Sequence, residues 1–347
     1  MNQNTFCILP FRHLYSDPDG SLRACCISKP FKGLSSNIKN FSIDQAFNSQ
    51  EFIDLRKDLI SGNKNSLCTA CWSREETGGK SQRMYSNEIY GYDHTMKEDG
   101  TVDPNFLSIH VRFSNLCNFK CVMCGHWLSS SHWDKEKQKQ GIPKVIYIKD
   151  NIVEELIPYL TDLEEVYFGG GEPLIMPEHL SLLQYLAEYN TDIRIKYTTN
   201  LSTFKPDIYT LIELWAKFKH VHVQVSIDGL FEKGEKIRVG LKTDKFIENI
   251  KILKDNKVNY SLSYTTGNYN VLDIYEFISN VKELEIVESE DQIELFNYVT
   301  SPSEYSIKNM TKEETEQAIE YLKTGIIDIK ADFLKSQIID MIKFIEE

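Results

Sequence analysis

From residue 106 onward the chain alternates between two hydrophobic patterns. Six short runs rich in Val, Ile, Tyr and Thr have the composition of strands: 106–113 (FLSIHVRF), 165–168, 193–199 (IRIKYTT among them), 221–227 (VHVQVSI), 260–266 (YSLSYTT) and 293–299. Between them, apolar residues recur every three or four positions, as on one face of a helix. Pro177 opens such a run before HLSLLQYLAEY, and Pro206 stands before DIYTLIELWAKF. Proline suits a first helical turn, where its missing N–H would have no partner. Asp244 precedes KFIENIKILKD, and Asn270 precedes VLDIYEFISNVKEL. Repeated βα units imply parallel strands joined by right-handed crossovers. The expected fold class is therefore α/β, with six units forming an incomplete barrel or an open sheet. Either arrangement places its site at the carboxyl ends of the strands.

The first hundred residues follow a different pattern. They hold a strand-like start, the turn Asp17-Pro18-Asp19-Gly20, and a helix from Ser42 to about Ile60 closed by Gly62. Ser42 with Gln45 makes a capping box, as does Thr311 with Glu314 before a late amphipathic run. The predicted organisation is a small domain over 1–100, a barrel over 101–302 and a helical extension over 303–347. There is no internal repeat.

Composition narrows the function classes. With 41% hydrophobic residues the chain can build a large core. A formal charge of −12 makes nucleic acid a poor partner for the surface as a whole. There is no eighteen-residue apolar run and no basic start followed by an apolar stretch, so the expectation is a cytoplasmic protein with no membrane contact. All eight cysteines, Cys7, Cys25, Cys26, Cys68, Cys71, Cys117, Cys121 and Cys124, fall in the first 124 residues. That distribution points to metal binding in a reducing compartment rather than to disulfides.

Cys117-Asn-Phe-Lys-Cys121-Val-Met-Cys124 directly follows the first barrel strand. Three thiolates leave one iron of a four-iron cluster open. A structural zinc would need a fourth ligand, for which His126 is at hand. Gly169-Gly170-Gly171-Glu172-Pro173 ends the second strand, Thr198-Thr199-Asn200 the third, and Val225-Ser226-Ile227-Asp228-Gly229 the fourth. Taken singly these are ordinary turns.

Together they resemble the radical S-adenosylmethionine (SAM) superfamily, over roughly residues 106 to 300. The resemblance implies a partial (β/α)6 barrel and a [4Fe–4S] cluster on Cys117, Cys121 and Cys124. It implies that the backbone at Gly169, Gly170, Gly171, Glu172 and Pro173 meets the SAM amino group. Ser226 and Asp228 would meet the ribose, Asn200 would line the same pocket, and Arg238 would pair with the SAM carboxylate. Many members carry an aromatic residue before the last cysteine; Met123 stands there, and its polarisable side chain can pack on adenine. The implied chemistry is reductive cleavage of SAM to a 5′-deoxyadenosyl radical, which takes a hydrogen atom from a substrate. An electron donor such as flavodoxin or ferredoxin is the implied protein partner.

The amino-terminal cysteines have their own spacing. Twelve residues separate Cys7 from Gly20, four more precede Cys25, and Cys68-Thr-Ala-Cys71 follows. This resembles the twitch domain, a shortened relative of the SPASM auxiliary-cluster domain, although in many relatives that domain follows the barrel. Cys7, Cys25, Cys68 and Cys71 would ligate an auxiliary [4Fe–4S] cluster, and the same four could hold zinc. Cys26 is left over, or replaces Cys25. The charged stretch from Ser73 to Met84 is a connector or a reach toward substrate. The expected substrate is a small polar metabolite derived from a sugar, cyclitol or amino acid, with a short ribosomal peptide as the second reading. A non-catalytic iron–sulfur or zinc sensor is the reading from a different class. No catalytic acid or base can be assigned: Tyr264, Asn297 and Tyr298 stand near strand ends but are equally packing positions.

Overall fold

The computed structural model describes residues 4–76 and 78–346. The first three residues of the strand-like start, Thr77 of the charged stretch, and Glu347 lie outside the described residues. Ten strands are present among those described: β1 (His13–Ser16), β2 (Leu22–Arg23), β3 (Ser108–Val111), β4 (Lys120–Cys121), β5 (Glu165–Phe168), β6 (Arg194–Thr199), β7 (His220–Ser226), β8 (Arg238–Val239), β9 (Tyr260–Thr266) and β10 (Ile293–Tyr298). Eight form one sheet in the order β10-β9-β7-β6-β5-β3-β1-β2, and β4 pairs with β8 separately. The six expected barrel strands are β3, β5, β6, β7, β9 and β10, all parallel to their neighbours.

The amino-terminal segment is not set apart from this sheet. β1 pairs parallel with β3, and β2 closes the edge antiparallel. Without them β3 would expose a row of unpaired backbone groups. The opening is also not simply a strand: a helical turn at Leu9–Arg12 precedes β1. The expected helix from Ser42 is two, Ile43–Phe47 and Gln50–Ser61. Asn48 breaks it, because its side chain bonds both the N–H and the carbonyl of Val102 at 2.9 Å. Gly62 closes the second helix at φ +91°, a conformation that costs other residues energy. Both capping boxes form as the sequence predicts.

The sheet has two unlike faces. Ile109, Val166, Ile195, Val223 and Leu262 are buried under the helices, each contributing about 1.5–3 kcal/mol. The alternate positions are polar and hydrogen-bonded side to side. Tyr167 meets Thr198, Thr198 donates to Gln224 at 2.7 Å, Gln224 donates to Glu294, and Ser261 donates to the same carboxylate at 2.5 Å. This polar face is the inside of the partial barrel. The carboxy-terminal helix Asp332–Glu346 covers the lower edge of β10, where the Gln337 amide accepts from Leu295 N–H at 2.5 Å. No helix among the described residues is long and apolar enough to cross a membrane.

One buried residue on the helical side gives a stability prediction. His179 is 0% exposed, and burial lowers its pKa from the ordinary 6.5 to about 3. As pH falls through 6.5 the unfolded chain takes up this proton while the folded chain does not, so stability drops. At pH 5 the loss amounts to about 2 kcal/mol. Urea unfolding at pH 7 and pH 5 should show a drop larger by that amount in the wild type than in His179→Leu. Equal drops would contradict it.

Candidate active site

The carboxyl ends of the strands surround a cavity of about 510 Å³. Its wall includes Cys117, Cys121, Cys124, Met123, Gly170, Gly171, Glu172, Asn200, Ser226 and Arg238. The structure thus brings together ten of the residues singled out by sequence. Three others, Gly169, Pro173 and Asp228, are not part of its lining.

The cysteine loop is fastened on three sides. β4 pairs antiparallel with β8, which sets Cys121 opposite Arg238. The serines after Cys124 hold the other side. Ser129 Oγ donates to the Phe119 carbonyl at 2.6 Å, and Ser131 Oγ to the Cys117 carbonyl at 2.8 Å. His132 Nε2 lies 3.0 Å from the Cys121 carbonyl and so carries a proton there. The glycine turn after β5 makes the third attachment. Glu172 N–H donates to the Leu116 carbonyl at 2.8 Å, and a Cβ on Gly171 would lie 2.2 Å from that same oxygen. Glycine is required here by close backbone approach to the cysteine loop. If the cavity cleaves SAM, as the sequence resemblance implies, Gly171→Ala should displace Cys117 and lower that cleavage about a hundredfold, the effect of a misplacement near 1 Å. Cleavage at the wild-type rate would refute this.

Glu172 itself is 1% exposed. Its carboxylate accepts from Thr199 Oγ1 at 2.6 Å, Asn200 N–H at 2.7 Å and Leu174 N–H at 3.1 Å. Burial nevertheless pushes it up to about 7. The carboxylate thus ties the glycine turn to the end of β6. The Asn200 amide donates to Asn118 Oδ1 at 3.0 Å, joining β6 to the cysteine loop.

Arg238 and Asp228 form a buried pair. The Nη2–Oδ1 hydrogen bond is 3.0 Å and the Nε–Oδ2 contact 2.7 Å, the latter not aligned for hydrogen bonding. Asp228 also accepts from Thr265 N–H at 2.7 Å. Its carboxylate therefore faces Arg238 rather than the cavity, which differs from the ribose contact expected from sequence. Asp228 holds Arg238 protonated against the opposing effect of burial.

The donor set fits a metal cluster. Burial pushes the Cys117 thiol up to about 12 and Cys124 up to about 11, and it raises Cys121 as well. Deprotonated thiols there need added positive charge, which a bound metal supplies. Among the described residues no group of three or more His, Cys, Asp or Glu is drawn together to hold a metal ion. A cluster asks for less convergence, since each thiolate takes a different iron. His126, the alternative zinc ligand, sets Nε2 2.9 Å from the Pro143 carbonyl.

A second, tight cavity is lined by Cys7, Cys25, Cys68 and Cys71, with Arg83 beside them. Cys26 is exposed and does not line it. Asn87 straddles Cys7, donating to the Phe6 carbonyl at 2.8 Å and accepting from Ile8 N–H at 2.9 Å. Arg83 donates to the Phe6 carbonyl at 2.8 Å and pairs with Glu75 at 2.7 Å.

The remaining candidates separate. Tyr264 is fully buried under the helix Ile274–Glu283, with its hydroxyl on the Asn270 carbonyl at 2.9 Å. Tyr298 packs on Phe344 at 4.8 Å, and Asn297 donates to Ser263 at 2.9 Å. Sequence reasoning did not single out Phe119, Trp127 or Ser129, which also line the cavity. The run Trp127-Leu-Ser-Ser-Ser-His-Trp133 was the available signal, since clustered hydroxyls after a ligand loop can cap its carbonyls.

Residues 111–280 match the radical SAM superfamily, and residues 7–72 match an iron-sulfur cluster-binding domain, SPASM. Mycofactocin maturase MftC of Mycobacterium tuberculosis is 32% identical over 116 residues, 33% of this chain and 25% of that protein. A GTP 3′,8-cyclase of Campylobacter jejuni is 27% identical over 107 residues, 30% of this chain and 31% of that one. The matches thus span less than a third of these curated relatives. Streptococcus suis SuiB bound to S-adenosylmethionine superposes with a TM-score of 0.44 and 16% identity, covering 77% of this chain and 60% of that one. The chain belongs to the radical SAM superfamily and carries a SPASM iron–sulfur domain at its amino-terminal end.

Proposed function

We propose that this protein is an enzyme that cleaves SAM reductively and removes a hydrogen atom from a polar substrate seated inside the barrel. The observation that carries the reading is the single cavity shared by Cys117, Cys121, Cys124, the glycine turn and Arg238. Cys117, Cys121 and Cys124 would hold a four-iron cluster, which when bound would supply the electron for reductive cleavage of SAM to methionine and a 5′-deoxyadenosyl radical. The chain's own residues bind and orient. Gly170 and Gly171 offer backbone to the SAM amino group, Arg238 receives the carboxylate, Ser226 meets the ribose, and Met123 flanks adenine. Asp228 positions Arg238 from behind. Cys7, Cys25, Cys68 and Cys71 ligate an auxiliary cluster in a unit over 1–100, ahead of the barrel over 101–302 and the extension over 303–347. Flavodoxin or ferredoxin supplies the electrons.

The hydrogen-bonded row from Tyr167 to Glu294 supports a polar substrate, such as a sugar, cyclitol or amino-acid derivative. A peptide is the second reading. It is favoured by a groove of about 1010 Å³ along the edge strand β10, lined by Tyr85, Phe296, Tyr298 and Phe333. Extended peptides pair with such edges.

The test is production of 5′-deoxyadenosine by reconstituted, reduced protein given SAM. Product no higher than that of a Cys117→Ala control would refute the reading and favour a non-catalytic metal protein. The second metal site has its own check. Cys25→Ala should lose about four of about eight irons, the content of one cluster, whereas Cys26→Ala should lose none. Equal losses would overturn the choice of Cys25 as ligand.

A further inference from the structure

Arg112 is the first residue beyond β3, at the mouth of the barrel. Its side chain is 22% exposed, and its only ion-pair partner among the described residues is Asp17, at 3.7 Å. That carboxylate is already held by Arg23 at 2.5 Å and accepts from the Tyr15 hydroxyl at 3.3 Å. Arg112 Nε is fully buried without a hydrogen-bond partner. The guanidinium rests over the Tyr15 ring at 5.3 Å, which fixes its plane without using its donors. A buried guanidinium N–H without a partner is costly unless something else pairs with it.

Its position is telling. A Cβ built on Gly170, part of the cavity wall, would lie 3.4 Å from Arg112 Cβ. Two residues back on the same side of β3, His110 packs on Tyr167 of the polar inner face at 4.3 Å. It therefore adjoins the glycine turn of the cysteine cavity, where a substrate would lie under the proposed function.

We propose that Arg112 binds an anionic oxygen group of the substrate, a carboxylate or a phosphate, and so anchors it beside the cavity of Cys117, Cys121 and Cys124. The inference rests on the proposed function for its placement, but its test does not need turnover. The cluster-loaded, unreduced protein, saturated with SAM so that Arg238 is occupied, is titrated by calorimetry with inorganic phosphate and with acetate. Wild type should bind at least one anion saturably, and Arg112→Gln should weaken that binding at least tenfold. Phosphate alone would point to a phosphorylated substrate, acetate alone to a carboxylate. Iron content and far-UV circular dichroism report whether the variant folds. Should Arg112→Gln fail to fold, Arg112→Lys, which keeps the charge but loses the two-pronged geometry, should still weaken binding several-fold. No saturable binding by wild type, or binding unchanged in the folded variants, would overturn the proposal. A wild type that binds anion but makes no 5′-deoxyadenosine would instead refute the proposed function.

Discussion

Cys121→Ala is expected to remove about four irons from the anaerobically reconstituted protein, the content of one cluster, and to bring SAM cleavage down to background. The effect should be this large because nothing nearby can replace the lost thiolate. Cys121 is 8% exposed and fixed in register opposite Arg238 by the β4–β8 pair. Its carbonyl is held by His132 and the next N–H by Ile237 O at 2.9 Å, so the loop cannot slide a neighbour into place. Two remaining thiolates would leave two irons open, and a cluster so held is easily lost. Iron analysis and the visible charge-transfer absorption would report it. Full iron content in the variant would contradict the assigned ligand set.

The second large effect is on stability. Asp228→Ala should destabilise the fold by about 3–5 kcal/mol, because it strands a charged guanidinium out of water. The Arg238 side chain is 10% exposed and the Asp228 side chain 0%. The Thr265 N–H also loses its acceptor. At about 2–4 °C per kcal/mol the melting temperature should fall by roughly 10 °C. The double variant Asp228→Leu with Arg238→Met removes both charges and should recover much of that loss. Under the proposed function it should not recover SAM affinity, because Arg238 is the residue proposed to receive the SAM carboxylate. A melting temperature unchanged in Asp228→Ala would show that the pair carries little weight. SAM affinity restored in the double variant would remove Arg238 from the binding site.

Much of the fold was legible because its signals are local. The six barrel strands were visible in β-branched and aromatic runs, and their helices in proline starts and apolar spacing. The two capping boxes form between residues three apart. What escaped depends on partners far along the chain. The joining of β1 to β3 brings together residues about ninety-five positions apart, and no local pattern announces it. The break at Asn48 likewise depends on Val102. In the site, the cysteine spacing and the glycine turn were readable, because few other chemistries need them. The role of Asp228 was not. Sequence placed a carboxylate at the end of β7, but only the fold shows it turned toward Arg238. The choice between Cys25 and Cys26 was undecidable from two adjacent thiols, and the backbone after β2 turns only the first into the four-cysteine cavity.

The most direct test of the account is electron paramagnetic resonance of the reduced protein with and without SAM, in a Cys68→Ala background that lacks the auxiliary cluster. The account predicts a four-iron signal whose shape changes when SAM is added, because SAM occupies the iron that Cys117, Cys121 and Cys124 leave open. A four-iron signal that SAM leaves unchanged would contradict it.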